Sequence, residues 1–445
     1  YKSAVEPFTE TAMSPEAREN IGQVYAALWD NWQGAMRAAR PDADIARVTG
    51  DIAGWLASSG GNLAQAARDA GLVDRVGSYE EWGARVAEVA GEDEWSDLPG
   101  AFASTDLDPW LAAIGDTGPS GSARIVLVTI AGTISDGEAG PGSAGAERIA
   151  RMLDTAYATE PAGLVVRIDS PGGTVTGSER IRRAIARYRA AEIPVAVSMG
   201  NSTASGGYWV ATAGQRIFAE PSTITGSIGV FAVLPSFERL LADYGVATDG
   251  VRTTGLSGQP DLLAGLTPEV RTVLQASVGS AYARMLALVS QSRGISTARA
   301  DELGQGRVWD GGAARQLGLV DELGGVDDAV AWVAREAGLE DGAWRIEEET
   351  APEPPFARML AGMMETRAPP HARTGDVAAM LARDGALRAR AVIAEAEGVL
   401  AASGVQARCL LCAPQAAPHA GPPRAATGWL SALARLLAPM PPRGA

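Results

Sequence analysis

Asn201-Ser-Thr-Ala-Ser-Gly-Gly-Tyr-Trp209, with Ser205 at its centre, follows a short apolar run from Pro194 to Met199. That run carries Val195 and Val197 between Pro194 and Gly200, and it reads as a buried strand. Tyr208-Trp-Val-Ala-Thr-Ala213 reads as a short helix. A strand, a turn of small residues and a helix put the Ser205 hydroxyl at a helix N-terminus, where backbone N–H groups have no partner within the helix. Such a position suits a nucleophile whose attack creates an oxyanion. Taken alone, the same residues read equally well as a tight turn chosen for close packing.

Outward from this stretch, strands alternate with helices. Arg124-Ile-Val-Leu-Val-Thr-Ile130 reads as a strand and Ala146 to Tyr157 as a helix. Gly163-Leu-Val-Val-Arg-Ile168 is a second strand, ending in Asp169-Ser-Pro-Gly-Gly173. A helix with Ile181, Ala184, Ile185 and Tyr188 on one face comes next, ahead of the 194–199 strand. Beyond the Ser205 turn, Arg216-Ile-Phe-Ala219 is a strand that leads into Pro221-Ser-Thr-Ile-Thr-Gly-Ser-Ile-Gly229. This order implies an α/β fold with a largely parallel sheet and flanking helices, its chemistry at the C-terminal ends of strands. Ser170-Pro-Gly-Gly173 and the N–H of Gly206 suit the two sides of an oxyanion hole. Gly226-Ser227-Ile-Gly229 offers a second hydroxyl able to hold an amine. Singly, each glycine pair is explained by a tight turn; together, at successive strand ends, the three loops are far more specific.

Composition limits what could act as a base for Ser205. Both histidines, His371 and His419, lie near the C-terminal end, so a Ser-His-Asp triad and a histidine-ligated metal site are not expected in residues 1–350. Lysine occurs once, at Lys2, and every other basic residue is an arginine. Arginine stays charged, with a pKa above about 12. A lysine serves as base if burial lowers its pKa from about 10.4 toward about 7–8. Lys2 is then the only amine side chain on offer, although a GC-biased genome sparing one lysine by chance would leave the same count. The net charge of −15 argues against a nucleic-acid partner. No apolar run reaches the roughly 18 residues a membrane helix needs. Cys409 and Cys412 form a lone Cys-x-x-Cys, a weak metal signal that reads as a local disulfide or two free thiols. No cofactor is expected.

An internal repeat organises the chain. Ser14-Pro15-Glu16 and Thr267-Pro268-Glu269 are matching helix starts, each with a hydroxyl cap, a proline and an acid. Val270, Leu274, Val278, Ala281, Met285 and Leu288 form an apolar stripe matched by Ala17, Ile21, Tyr25, Leu28, Trp32 and Ala35. Gly71-Leu-Val-Asp74 returns as Gly318-Leu-Val-Asp321, and an acidic, Ala/Val-rich helix follows each (Tyr79 to Ala90; Val326 to Ala337). Residues 1–100 therefore read as the C-terminal remnant of a first repeat, 101–122 as a linker, and 123–345 as a complete second repeat. Residues 346–445 read as a Pro/Ala-rich tail, partly disordered, with a helix over Val377 to Leu400 and a short amphipathic piece from Trp429 to Leu437. The start at Tyr1, in mid-pattern, reads as a fragment of a longer polypeptide. At the repeat offset the residue matching Lys2 is Gly255, in a loop with no amine, so the second repeat cannot supply its own base.

Asp169-Ser-Pro-Gly-Gly173, Ser198-Met-Gly200 with Ala204-Ser-Gly-Gly-Tyr-Trp209, Pro221-Ser-Thr-Ile-Thr-Gly-Ser-Ile-Gly229 and Tyr1-Lys-Ser-Ala-Val-Glu-Pro-Phe8 resemble the signal peptide peptidase A (protease IV) group of serine peptidases. The resemblance covers residue 1 to about 350, with a weaker echo at Cys409-Leu-Leu-Cys412. It implies a caseinolytic-protease/crotonase-like fold and, in the long form, two tandem repeats sharing one active site. Carried over, Ser205 is the nucleophile, Lys2 the general base, Ser227 the hydroxyl orienting the lysine, and Gly173 and Gly206 the oxyanion N–H donors. The resemblance further implies a bacterial homo-oligomer at the periplasmic face of the inner membrane, anchored by a segment ahead of Tyr1, that degrades cleaved signal peptides and similar apolar peptides. Asn201-Ser-Thr-Ala204 departs from the Met-Ala-Ala-like run common in the group. Two other readings stand beside this one: a catalytically silent oligomeric scaffold on the same fold, and a crotonase-like acyl-CoA enzyme, which would explain neither Lys2 nor the serine turn.

Overall fold

The structure, a computed structural model, describes residues 6–115, 118–139, 143–234, 236–246, 249–349, 405–409 and 412. Its strands are β1 (Ala123–Ala131), β2 (Thr133–Ser135), β3 (Ser143–Gly145), β4 (Gly163–Ser170), β5 (Gly172–Thr174), β6 (Val195–Ala204), β7 (Arg216–Ala219), β8 (Ile224–Gly226), β9 (Val308–Asp310), β10 (Glu322–Leu323), β11 (Trp344–Glu349) and β12 (Gln406–Arg408). The main sheet has the order β10-β7-β6-β4-β1-β11, and every neighbouring pair is parallel. A smaller sheet has the order β12-β5-β2-β3. The fold is therefore α/β with mostly parallel sheets and flanking helices.

Near-continuous apolar runs form the central strands because both faces of the sheet are covered. Alternation sends Leu164, Val166 and Ile168 of β4, with Val195, Val197 and Met199 of β6, into the larger core. That core packs on helices Ala146–Tyr157, Val175–Ala190 and Pro268–Arg293. Ile125, Val165, Ala196 and Phe218 point the other way, onto Ala329, Val330 and Val333 of helix Val326–Glu336. Each such apolar side chain contributes about 1.5–3 kcal/mol on full burial.

The chain divides into two compact units. One joins residues up to Val24 with those from Ser120 onward and holds both sheets; the other is Tyr25–Pro119. The second is helical, with Asp44, Asp51 and Asn62 as side-chain caps and a Ser78/Glu81 capping box opening Tyr79–Ala90. Thr267 caps Pro268–Arg293 through the N–H of Val270, as its motif predicts.

The elements depart from the sequence expectation at three places. β6 does not end at Met199 but continues through Asn201, Ser202 and Thr203 to Ala204. Its polar end is satisfied locally: the Ser202 N–H donates to Asp169 Oδ1 (2.9 Å) and the Thr203 hydroxyl to the Ile168 carbonyl. Residues 202–204 also gain β8 as a parallel partner beyond the reach of β7. The expected turn thus contracts to Ser205 itself. Within the stretch read as a linker, Leu107–Ile114 is a helix. β11 runs to Glu349 and residues 406–408 form β12, so the sheets draw on chain beyond the boundary placed at 345. The helix expected over 377–400 and the amphipathic piece over 429–437 lie outside the described residues, as do His371 and His419.

Candidate active site

Ser205 leaves β6 in a left-handed conformation, φ +56°, and caps helix Gly206–Ala211. A non-glycine residue there costs about 1–3 kcal/mol and needs its surroundings to hold it. The hold is visible. The Ser205 N–H donates to the Gly226 carbonyl (2.8 Å), its own carbonyl accepts from the Trp209 N–H (2.8 Å), and its hydroxyl donates to the Gly229 carbonyl (3.3 Å). Ser205 has no exposed surface.

Ser227 stands beside it by register. Ala204 pairs with Gly226 across β6 and β8, so Ser205 and Ser227 are the first residues past two adjacent parallel strands. Ser227 is also left-handed, φ +49°, and its N–H donates to the Arg307 carbonyl (2.6 Å). Gly173 and Gly206 converge as well: a Cβ placed on Gly206 would lie 3.0 Å from the Gly173 nitrogen and 2.5 Å from Ser178 Oγ. A Cβ on Gly173 would collide with the Ile134 carbonyl oxygen. Glycine is what lets these two N–H groups approach one small volume beside Ser205.

Lys2 lies outside the described residues. The chain that follows it is fastened in the sheet-bearing unit. Glu6 accepts from the Ser14 N–H (2.8 Å) and hydroxyl (2.7 Å). Asn20 exchanges two amide hydrogen bonds with the backbone of Val308, each 2.9 Å. Val308 belongs to β9, which pairs antiparallel with β8 and sets Val308 opposite Gly226, next to Ser227. The N-terminal segment is therefore tied to the strand edge that carries the second hydroxyl.

Two contributors were not read from the sequence. Glu179, largely buried, accepts from Trp209 Nε1 (2.9 Å) and from Arg182 (2.8 Å), Arg183 (2.7 Å) and Arg284 (2.7 Å). Burial alone would raise its carboxyl pKa, but the hydrogen bonds from Arg182, Trp209 and Arg183 outweigh that and hold it at about 2. This carboxylate pins the helix that presents the Gly206 N–H. The other is Val405–Cys409, whose strand β12 pairs with β5 directly beside Gly173; three residues in a Pro/Ala-rich stretch carry no periodic signal. Cys409 and Cys412 form a disulfide, which settles the two readings left open for them. Among the described residues, no group of three or more His, Cys, Asp or Glu side chains converges as a metal site.

Sheet order, loop glycines and a buried serine at the head of a helix define an α/β protein with a strand–turn–helix site. The family model for peptidase family S49 matches residues 187–340. Protease 4 of Salmonella typhi is 37% identical over 385 residues, covering 86% of this chain and 59% of its own length. A Synechocystis sp. protein whose name gives it as a protease is 33% identical over 240 residues, 54% of this chain and 83% of its own length. The chain belongs to peptidase family S49, the signal peptide peptidase A family. It spans little more than half the length of Protease 4. Among solved structures, a ClpP1 mutant from Listeria monocytogenes aligns with 46% of this chain at 17% identity and a TM-score of 0.32.

Proposed function

We propose that this chain carries the acyl-transfer site of a Ser/Lys endopeptidase that cuts apolar peptides with small residues at the cleavage point. The observation that carries the reading is the convergence of the Gly206 and Gly173 nitrogens beside a serine held left-handed at a helix N-terminus. In this reading the Lys2 amine, unprotonated in a water-poor setting and oriented by the Ser227 hydroxyl, takes the proton from Ser205 Oγ. Oγ attacks the scissile carbonyl, and the two N–H groups stabilise the oxyanion. The leaving amine collects the proton, and water activated by the same lysine hydrolyses the ester. The tie from Asn20 to β9 supports a base arriving from the N-terminal segment.

The substrates in this proposal are cleaved signal peptides and similar apolar chains, met at the periplasmic face of a bacterial inner membrane by a homo-oligomer. That part rests on family membership. No helix among the described residues is long and apolar enough to cross a membrane. The test is hydrolysis of an apolar peptide by the whole assembled protein, wild type against Ser205→Ala. The variant is expected to lose about four orders of magnitude in kcat or more with its melting temperature nearly unchanged. Near-normal turnover in it would remove Ser205 as nucleophile.

A further inference from the structure

Four successive residues, 305–308, each bond through the backbone to a different part of the sheet-bearing unit. The Gln305 N–H donates to the Tyr282 hydroxyl (3.2 Å), and the Gly306 N–H donates to the Ile228 carbonyl (2.9 Å). The Arg307 carbonyl accepts from the Ser227 N–H (2.6 Å). Val308 exchanges its two bonds with Asn20. The second hydroxyl of the candidate site and the segment that follows Lys2 are therefore fastened to adjacent residues of one loop.

That loop does not keep its shape unaided. Gln305 is left-handed, φ +55°, a conformation that costs a non-glycine residue about 1–3 kcal/mol and persists only where neighbours hold it. The neighbour here is Tyr282, on helix Pro268–Arg293. Its ring is buried in the larger core, where a phenylalanine would pack as well. What the tyrosine adds is the hydroxyl, which donates to Asp301 Oδ1 on helix Thr297–Leu303 while accepting from Gln305. Donating to a carboxylate polarises a hydroxyl and makes it the stronger acceptor. The packing is close: a Cβ on Gly304 would lie 3.2 Å from both the Tyr282 hydroxyl and the Ile228 carbonyl oxygen.

We propose that Tyr282 is a positioning residue for the Ser/Lys pair: its hydroxyl, anchored on Asp301, holds the strained loop in the shape that sets Ser227 and the Lys2-bearing segment against one another. The proposal rests on the peptidase reading and deepens it, because it concerns how the base is presented to Ser205. Without the hydroxyl, the strain at Gln305 is unopposed and the loop relaxes. The Arg307 carbonyl then shifts under Ser227, and the Val308 backbone shifts under Asn20. These bonds go to Ser227, Ile228 and Asn20 rather than to Gly173 or Gly206. Loss of the hydroxyl should therefore tell on proton transfer and not on the binding of the peptide.

The test is steady-state hydrolysis of an apolar peptide by the whole assembled protein, below the unfolding temperature of each variant. Tyr282→Phe should lower kcat about tenfold, the scale of a small misplacement of a base, with KM held within about twofold. Gln305→Gly relieves the left-handed strain. Placed in the Tyr282→Phe chain, it should restore most of the lost kcat, which a glycine could not do for a hydroxyl that merely stabilised the core. Should Tyr282→Phe fail to fold, Asp301→Ala, at a half-buried position, is expected to give the same split between kcat and KM and the same rescue. Wild-type kcat in the folded variant overturns the positioning role. So does a loss that Gln305→Gly leaves unrestored, or one carried by KM. In each of those cases, wild-type activity that Ser205→Ala abolishes leaves the peptidase reading standing. Absence of hydrolysis by the wild type, or hydrolysis that survives Ser205→Ala, overturns that reading and the positioning role with it.

Discussion

In the proposed reading, Ser205 and Gly206 act through backbone geometry as much as through side chains. Past the left-handed turn at Ser205, Gly206 packs so close to the Gly173 nitrogen that a Cβ on it would lie 3.0 Å away. Gly206→Ala puts a methyl group 2.5 Å from Ser178 Oγ and 3.0 Å from the Gly173 nitrogen, so the donor must shift. Steady-state kinetics should show kcat reduced about 10²-fold, the usual cost of a misplaced oxyanion donor, with the protein still folded. Unchanged kcat would mean that this N–H does not meet the developing charge. The strand, the Ser-Gly-Gly turn and the helix after it were legible in sequence, while the serine stood out from an ordinary packing turn only when read together with the loops at 170–173 and 226–229. The backbone strain at Ser205 was not legible, since that depends on hydrogen bonds to Gly226 and Gly229, which lie far along the chain.

At the level of elements, apolar periodicity located helix Ala146–Tyr157, helix Tyr79–Ala90 and strand β7 at the bounds read from sequence. It failed where a partner, not a pattern, makes the strand. β6 extends through polar residues because β8 and the Asp169 carboxylate are there to receive them. β12 exists because β5 and Phe231 flank it. The helix after Ser205 depends likewise on a residue outside it, Glu179. Glu179→Gln weakens the links to Trp209 and three arginines and should cost about 1–3 kcal/mol of stability at neutral pH, measured by denaturant unfolding. The sign of its pH dependence follows from the depressed pKa. Stabilisation is complete above the ordinary carboxyl value of 4.5 and is lost as pH falls toward about 2. The gap between wild type and variant should therefore close on acidification through that window; a gap that held constant would show that the charge is not what matters.

On the scale of the molecule, the sheet-bearing unit draws together three distant parts of the chain: the N-terminal segment up to Val24, the strands from β1 to β11, and the strand at 406–408. Sequence showed the second part, and the solitary lysine raised the expectation that the first supplies a base. How the first is fastened came only with the structure, in the pairing of Asn20 with Val308. Asn20→Leu removes both bonds and should lower kcat about tenfold, because small misplacements of a base are costly, with the fold intact by circular dichroism; wild-type kcat would detach this tie from catalysis. The central claim is that an amine of the N-terminal segment activates Ser205. The most direct test is the rate at which a serine-reactive phosphonate labels Ser205 across pH in the assembled protein, wild type against Lys2→Arg. Labelling of the wild type should rise with pH to a plateau past about pH 7–8, and Lys2→Arg, which keeps the charge but cannot release a proton, should label only at background rate. Equal rates and equal pH profiles in the two proteins would contradict the claim.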